Sequence, residues 1–216
     1  MNRGTASAEQ SVIELDEIWD SLPADARSRL ERFGELVMQY KDSARLTSLS
    51  TLDEALAVLV RESLALTPLV EALSPAEVVD LGSGAGVPGV PLAVLFPRTS
   101  FVVLERSERK AGFLQIAVNT LGLANVQVSM LDPLRQRTPQ QRACVVTRAA
   151  FPPSRIPAVA SKLLLPGGHL MGFVAPAARD ALAGAVPAWL KVRRVLPYRC
   201  KRGVSYVYWL AREEAR

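Results

Sequence analysis

The chain predicts an α/β fold, a doubly wound and mostly parallel seven-stranded sheet with an N-terminal helical cap, and three features of its 216 residues predict it. From residue 76 onward, short apolar strands alternate with helical segments, the pattern of a parallel sheet covered on both faces. Before that point the apolar spacing is helical. A run of glycines follows the first strand directly, which is where sheets of this kind turn sharply and open a crevice. This length supplies one domain, or one domain with an appendage, with enough chain to bury a full core.

Each element follows in order. Val12, Leu15, Ile18 and Trp19 share one face of a first helix. Leu30, Phe33, Leu36, Val37 and Tyr40 do the same for a second, and Pro23 suits its start. A third helix over residues 52–73 opens at Thr51, with Glu54 as its capping-box partner, and Pro68 should kink or break it. Residues 1–75 are thus expected to be a helical segment packed on an α/β domain of residues 76–216. Strands are expected at 77–80, 101–104, 126–129, 143–147, 170–174, 192–196 and 204–210. Helices should fall near 92–96, 108–121, 157–165 and 177–190.

Composition narrows the function classes. With 49% hydrophobic and 22% charged residues, the chain is neither disordered nor of low complexity. No apolar run approaches the ~20 residues of a membrane helix, and Met1 to Gln10 do not read as a signal peptide. Cys144 and Cys200 fit no metal spacing, and His169 is the single histidine, so no metal is expected. A cytoplasmic monomer with free thiols is the expectation. The net charge of +5 is unevenly divided. Residues 1–75 carry 7 Lys/Arg against 13 Asp/Glu, whereas residues 76–216 carry 19 against 8. A basic α/β half points to an anionic partner, nucleic acid first, and Lys191, Arg193, Arg194, Arg199, Lys201 and Arg202 form a candidate backbone-binding run.

The glycine run reads Asp80-Leu-Gly82-Ser83-Gly84-Ala-Gly86-Val87-Pro88-Gly89-Val-Pro91. A dinucleotide fingerprint starting at Gly82 fails at Val87, and the frame Gly84, Gly86, Gly89 starts two residues late. The pattern acid-x-G-x-G-x-G, met by Asp80, Gly82, Gly84 and Gly86, suits S-adenosylmethionine. That ligand presents an ammonium and a sulfonium rather than a pyrophosphate, so an acid beside the loop is physically sensible. Glu105 ends the second strand, where a carboxylate can accept from both ribose hydroxyls of an adenosine. Asp132 follows the third strand, either near an adenine amino group or as an ordinary turn acid before Pro133.

The stretch 82–92, with its Pro-Gly-x-Pro continuation, resembles the glucose-inhibited division protein B family, bacterial methyltransferases acting on N7 of a guanine in small-subunit (16S) ribosomal RNA. Glu105-Arg106-Ser-Glu-Arg-Lys110, Phe113-Leu, Thr147-Arg148-Ala149, Leu46-Thr47 and Glu62-Ser63 extend the resemblance to roughly residues 30–210. It implies a pocket for S-adenosylmethionine lined by Gly82, Val87, Glu105, Leu131, Asp132 and Arg148, with ribosomal RNA or the small subunit as partner. With the loop residues Asp80, Ser83, Gly84 and Gly86, and Arg106 beside Glu105, this completes the candidate site. The departures fall on the substrate side. Arg45 stands where the family usually has Asn, and residues 59–61 lack its His. Val174 and Ser205-Tyr206 replace its basic positions.

Guanine N7 has an available lone pair and no proton, so its methylation needs positioning rather than a general base. Arg148, at the end of the fourth strand, is the candidate catalytic residue, placed to meet a phosphate or base edge unless a nearby acid claims it. Phe151-Pro-Pro153 has an aromatic ring where amino-group methyltransferases carry a polar side chain, and Phe151 could stack on a base. A methyltransferase with another RNA or small-molecule acceptor, and a non-catalytic RNA-binding relative that keeps the pocket, stay open at this point.

Overall fold

The computed structural model describes residues 11–138 and 140–214, so the polar start, Met1 to Gln10, lies outside the described residues. The described chain opens with β1 (Ile13–Glu14), α1 (Leu15–Ser21) and α2 (Ala24–Tyr40). A long helical stretch follows: α3 (Leu52–Ala55), a π segment (Leu56–Val60), a 3-10 segment (Arg61–Leu66) and α4 (Thr67–Leu73). The Thr51 capping box forms as expected, with Thr51 Oγ1 accepting from the Glu54 N–H and Glu54 accepting from the Thr51 N–H. Pro68 lies in the first turn of α4, where it has no N–H to give. The helix loses its regular register over the two turns before it.

The α/β part runs β2 (Glu77–Leu81), α5 (Gly89–Leu95), β3 (Ser100–Leu104), α6 (Glu108–Thr120), β4 (Val126–Ser129) and β5 (Arg142–Thr147). It continues with a 3-10 turn (Pro153–Arg155), α7 (Ile156–Leu163), β6 (Leu164–Val174), α8 (Arg179–Ala185), β7 (Leu190–Cys200) and β8 (Gly203–Arg212). The strands make one sheet in the order β1-β7-β8-β6-β5-β2-β3-β4. All neighbours are parallel except β8, which is antiparallel to both β6 and β7.

Among the described residues the sheet therefore has eight strands where seven are read from the sequence. The eighth is β1, whose Ile13 and Glu14 pair with Tyr198 and Arg199 of β7 instead of opening the first helix. Two residues are too few to leave an alternation in the sequence. Between β2 and β5 the winding direction reverses, and a crevice opens beyond the strand ends at such a switch point.

Strand alternation sorts the core into two layers. Val78, Phe101, Val103 and Val146 face Leu30, Phe33, Leu36, Val37 and Leu64 of the N-terminal helices. Val79, Leu81, Val102 and Val145 face the other way, onto Ile156, Val159, Leu163 and Leu182. The N-terminal helices thus bury their apolar stripes directly on one face of the sheet. No helix among the described residues is long and apolar enough to cross a membrane, and no cluster of His, Cys, Asp and Glu could hold a metal.

Candidate active site

Beyond the ends of β2, β3 and β4 lies a cleft of about 660 Å³, within the range of small-molecule sites. Gly82, Glu105, Arg106, Leu131 and Asp132 line it, as do Ser107, Lys110, Pro133, Leu134, Arg135, Ala150, Phe151 and Arg155.

The glycine loop is built by left-handed backbone, with φ of 72° at Gly82, 57° at Gly84 and 92° at Gly86. A Cβ on Gly84 would meet only the Gly82 carbonyl oxygen, at 3.9 Å, whereas one on Gly86 would strike Leu114, Val90 and Phe33. Phe33 belongs to α2, so the N-terminal segment presses on the underside of the loop. Glu105 joins the loop to the next strand. Its Oε2 accepts from the Gly84 N–H at 2.9 Å and its Oε1 from the Ser107 N–H at 2.8 Å. Each oxygen keeps a lone pair for a ligand hydroxyl.

Asp80, Ser83 and Val87 sit beneath the loop. Asp80 shares its strand face with Val78, turns beneath the loop and is fully buried. Its Oδ2 accepts from the Gly89 N–H at 2.9 Å, while Oδ1 is buried without a partner. Burial pushes its carboxyl up to about 7, against the opposing pull of the Gly89 and Ser83 hydrogen bonds. Ser83 is also buried, its hydroxyl donating to the Asp80 carbonyl at 3.1 Å. Val87 is buried in the same core layer as Phe33 and Leu114. These residues hold the loop from below and do not line the cleft.

Asp132 does line the cleft, but both its oxygens are engaged locally. Oδ1 accepts from the Leu134 N–H at 3.1 Å and Oδ2 lies 3.4 Å from Arg135. The Lys162 ammonium donates to the Leu134 carbonyl and fixes the same turn from α7.

Arg148 lies furthest from its expected place. Its guanidinium points away from the cleft into the N-terminal helices, donating to the Val58 carbonyl and to Glu62, both at 2.7 Å. The Phe173 ring lies 5.2 Å from it, and Tyr198 also donates to Glu62. The alternative of a strand-end arginine claimed by an acid is the one realised. Val58 lies in the π segment, whose widened register frees carbonyls from the helical ladder. Desolvation raises the Glu62 carboxyl, and Arg148, Arg202 and the Tyr198 hydroxyl oppose that rise.

After Arg148 the backbone turns through Ala149, at φ 52°, into Ala150 and Phe151, which wall the cleft. Phe151 also borders a small adjoining cavity of about 40 Å³ with Thr147, Phe173 and Tyr208. His169 is engaged with the Trp209 indole at 3.0 Å. Phe151, expected as a ring that could stack on a base, does line the cleft. Lys110 in the first turn of α6, Arg135 after β4 and Arg155 after β5 carry no sequence signal for the pocket, and only the sheet topology brings them together.

Comparison with known proteins gives this geometry a context. The family model described as rRNA small subunit methyltransferase G matches residues 26–191. The chain belongs to this family. Curated members named ribosomal RNA small subunit methyltransferase G share 32% identity with it in Azoarcus sp. and 30% in Xanthomonas campestris, each covering 82% of both chains. The Solibacter usitatus member is 39% identical over 54% of this chain and 55% of its own. Among solved structures, an O-methyltransferase from Bacillus cereus in complex with SAH superposes with a TM-score of 0.62 at 18% identity, covering 92% of this chain and 96% of that one. The magnesium protoporphyrin IX methyltransferase from Synechocystis, with SAM bound, gives 0.56 at 16% identity, covering 84% and 97%. These two likenesses establish the shared methyltransferase fold.

Proposed function

We propose that this chain methylates N7 of a guanine in small-subunit ribosomal RNA, using S-adenosylmethionine. The observation that carries the reading is Glu105, bridging the Gly84 and Ser107 amides at the floor of the cleft, in a chain of this family.

The residues present fit the ligand. Glu105 can accept from a ribose, Leu131 and Phe151 offer apolar walls, and the space over Gly84 is open. Beneath the loop, Asp80 Oδ1 is buried without a partner, and a positive charge bound above the loop would favour the ionised form of that carboxyl. When bound, S-adenosylmethionine supplies an electrophilic methyl on its sulfonium.

The protein's own work is positional. Among the described residues lining the cleft there is no histidine or cysteine to act as base or nucleophile, and N7 requires neither. The turn Ala149–Ala150–Phe151 limits how an acceptor can approach, and Phe151 offers a face on which a base can stack. The Arg148–Glu62 contact holds that turn in place from behind, so Arg148 acts as a positioning residue in this reading.

The test is methyl transfer from radiolabelled S-adenosylmethionine to small ribosomal subunits and to their stripped RNA, taken from cells lacking this gene. Label recovered as 7-methylguanosine at one position is the expected result. Ligand binding with no transfer to either substrate would overturn the acceptor assignment.

A further inference from the structure

The basic run on the last two strands is not one surface. Lys191 and Lys201 stand at opposite ends of β7, about 30 Å apart at strand rise. Arg199 is claimed by Glu14 at 3.0 Å, and Lys191 lies 3.9 Å from Glu213. Because β7 runs parallel to β1 and antiparallel to β8, as β6 does, its end at Cys200 lies on the same edge of the sheet as the ends of β2, β3 and β5. The turn Lys201-Arg202 is therefore on the active-site edge. Its field reaches Glu54 and Glu62 of the N-terminal helices, yet neither cation has a carboxylate within 4 Å among the described residues.

The cleft mouth has the same character. Arg106 follows β3, Lys110 lies in the first turn of α6, and Arg155 ends the 3-10 turn before α7, so cations flank the mouth from two sides. Among the described residues, only Arg135 of the four cations lining the cleft is paired with a carboxylate, that of Asp132. S-adenosylmethionine does not explain all of the other three, since its adenosyl end is neutral and it carries a single carboxylate. Unpaired cations around a cleft for a cationic ligand call for a separate anion.

We infer that Arg106, Lys110 and Arg155 at the mouth and Lys201 and Arg202 in the β7–β8 turn are two grips on one RNA strand laid across the carboxyl edge of the sheet. From β7 to β5, which Arg155 follows, is three strand spacings, and to β3, which Arg106 follows, five, so about 14 to 24 Å, a distance a short single strand can bridge. The inference rests on the proposed RNA substrate and adds where the backbone lies. Phosphate contacts of this kind set register and orientation while the base is presented to the site.

The experiment compares binding of stripped small-subunit ribosomal RNA to the full chain and to three variants over a range of salt concentrations. Lys201→Ala/Arg202→Ala should weaken binding about tenfold and make the salt slope shallower by about 1.4, at roughly 0.7 per single-strand phosphate contact. Arg155→Gln should make it shallower by about 0.7. Arg193→Ala/Arg194→Ala removes the same charge as the first pair from exposed positions away from that edge, and should leave the slope close to that of the wild type. Equal effects from the two double variants, or none from Lys201→Ala/Arg202→Ala or from Arg155→Gln, would overturn the inference. Because binding is read directly, it is separable from the proposed reaction. RNA bound with this residue dependence but never methylated would refute the reaction and leave the two grips standing.

Discussion

Arg148 Nη2 lies 2.7 Å from Glu62 Oε2, joining the end of β5 to a helix 86 residues earlier in the chain. The two side chains are 16% and 9% exposed, so removing either partner leaves a largely buried charge without its counterpart. Glu62→Ala and Arg148→Ala should each cost about 3 kcal/mol in urea unfolding. The double variant Glu62→Ala/Arg148→Ala should cost at least about 1 kcal/mol less than their sum. Strict additivity would show that the pair is not coupled.

Asp80 gives the fold a pH dependence of definite sign. An aspartate raised in the folded state to about 7 contributes stability that is fully present below about pH 4 and lost as pH rises through 7. Asp80→Asn keeps an oxygen for the Gly89 N–H and lacks this titration. Its stability relative to the parent should improve between about pH 4 and 7, by at most about 1.4 kcal/mol per pH unit, and level off above. A difference that stays constant across that window would contradict the assignment.

Gly89→Ala tests the same contact from the other side. An added Cβ would lie 2.6 Å from Asp80 Oδ2 and 2.9 Å from Val103 Cγ1. With both neighbours buried, a loss of about 2–3 kcal/mol is expected by thermal or denaturant unfolding.

Glu105→Gln replaces one acceptor oxygen by a donor, which must then face either the Gly84 or the Ser107 N–H. Affinity for S-adenosylmethionine, read by calorimetry, should fall by about tenfold or more, the scale of a lost charge-assisted hydrogen bond. Unchanged affinity would remove Glu105 from the binding site.

The two thiols should separate cleanly. Burial pushes the Cys144 thiol up to about 12, whereas Cys200 is only half-buried at the end of β7. A thiol reagent at pH 8 should label Cys200 in the folded protein and reach Cys144 only on unfolding. Both labelling at similar rates would mean that β5 is not packed as described.

The parts of the site that were legible in the sequence are those fixed by local backbone chemistry. Gly82, Gly84 and Gly86 must occur where the chain adopts left-handed conformations, and Glu105 must occur where a strand ends beside them. Strand alternation is also visible in the sequence, and it bears on Asp80. Asp80 shares a face with Val78, which places it under the loop. The partner of Arg148 could not be read, because it depends on a change of helical register far upstream. Arg155 and Lys110 carry no local signal at all, since the switch between β2 and β5 decides what they face.

Among the described residues, the two-residue strand β1 is the only neighbour on the outer edge of the 11-residue β7 and leaves most of it unpaired. An open edge is a template on which another polypeptide can add a strand. Here Lys191, Arg193 and Arg194 crowd it with like charge, and Pro197 withholds an N–H. Like charge along this edge and the N–H missing at Pro197 both oppose the pairing of a second copy there.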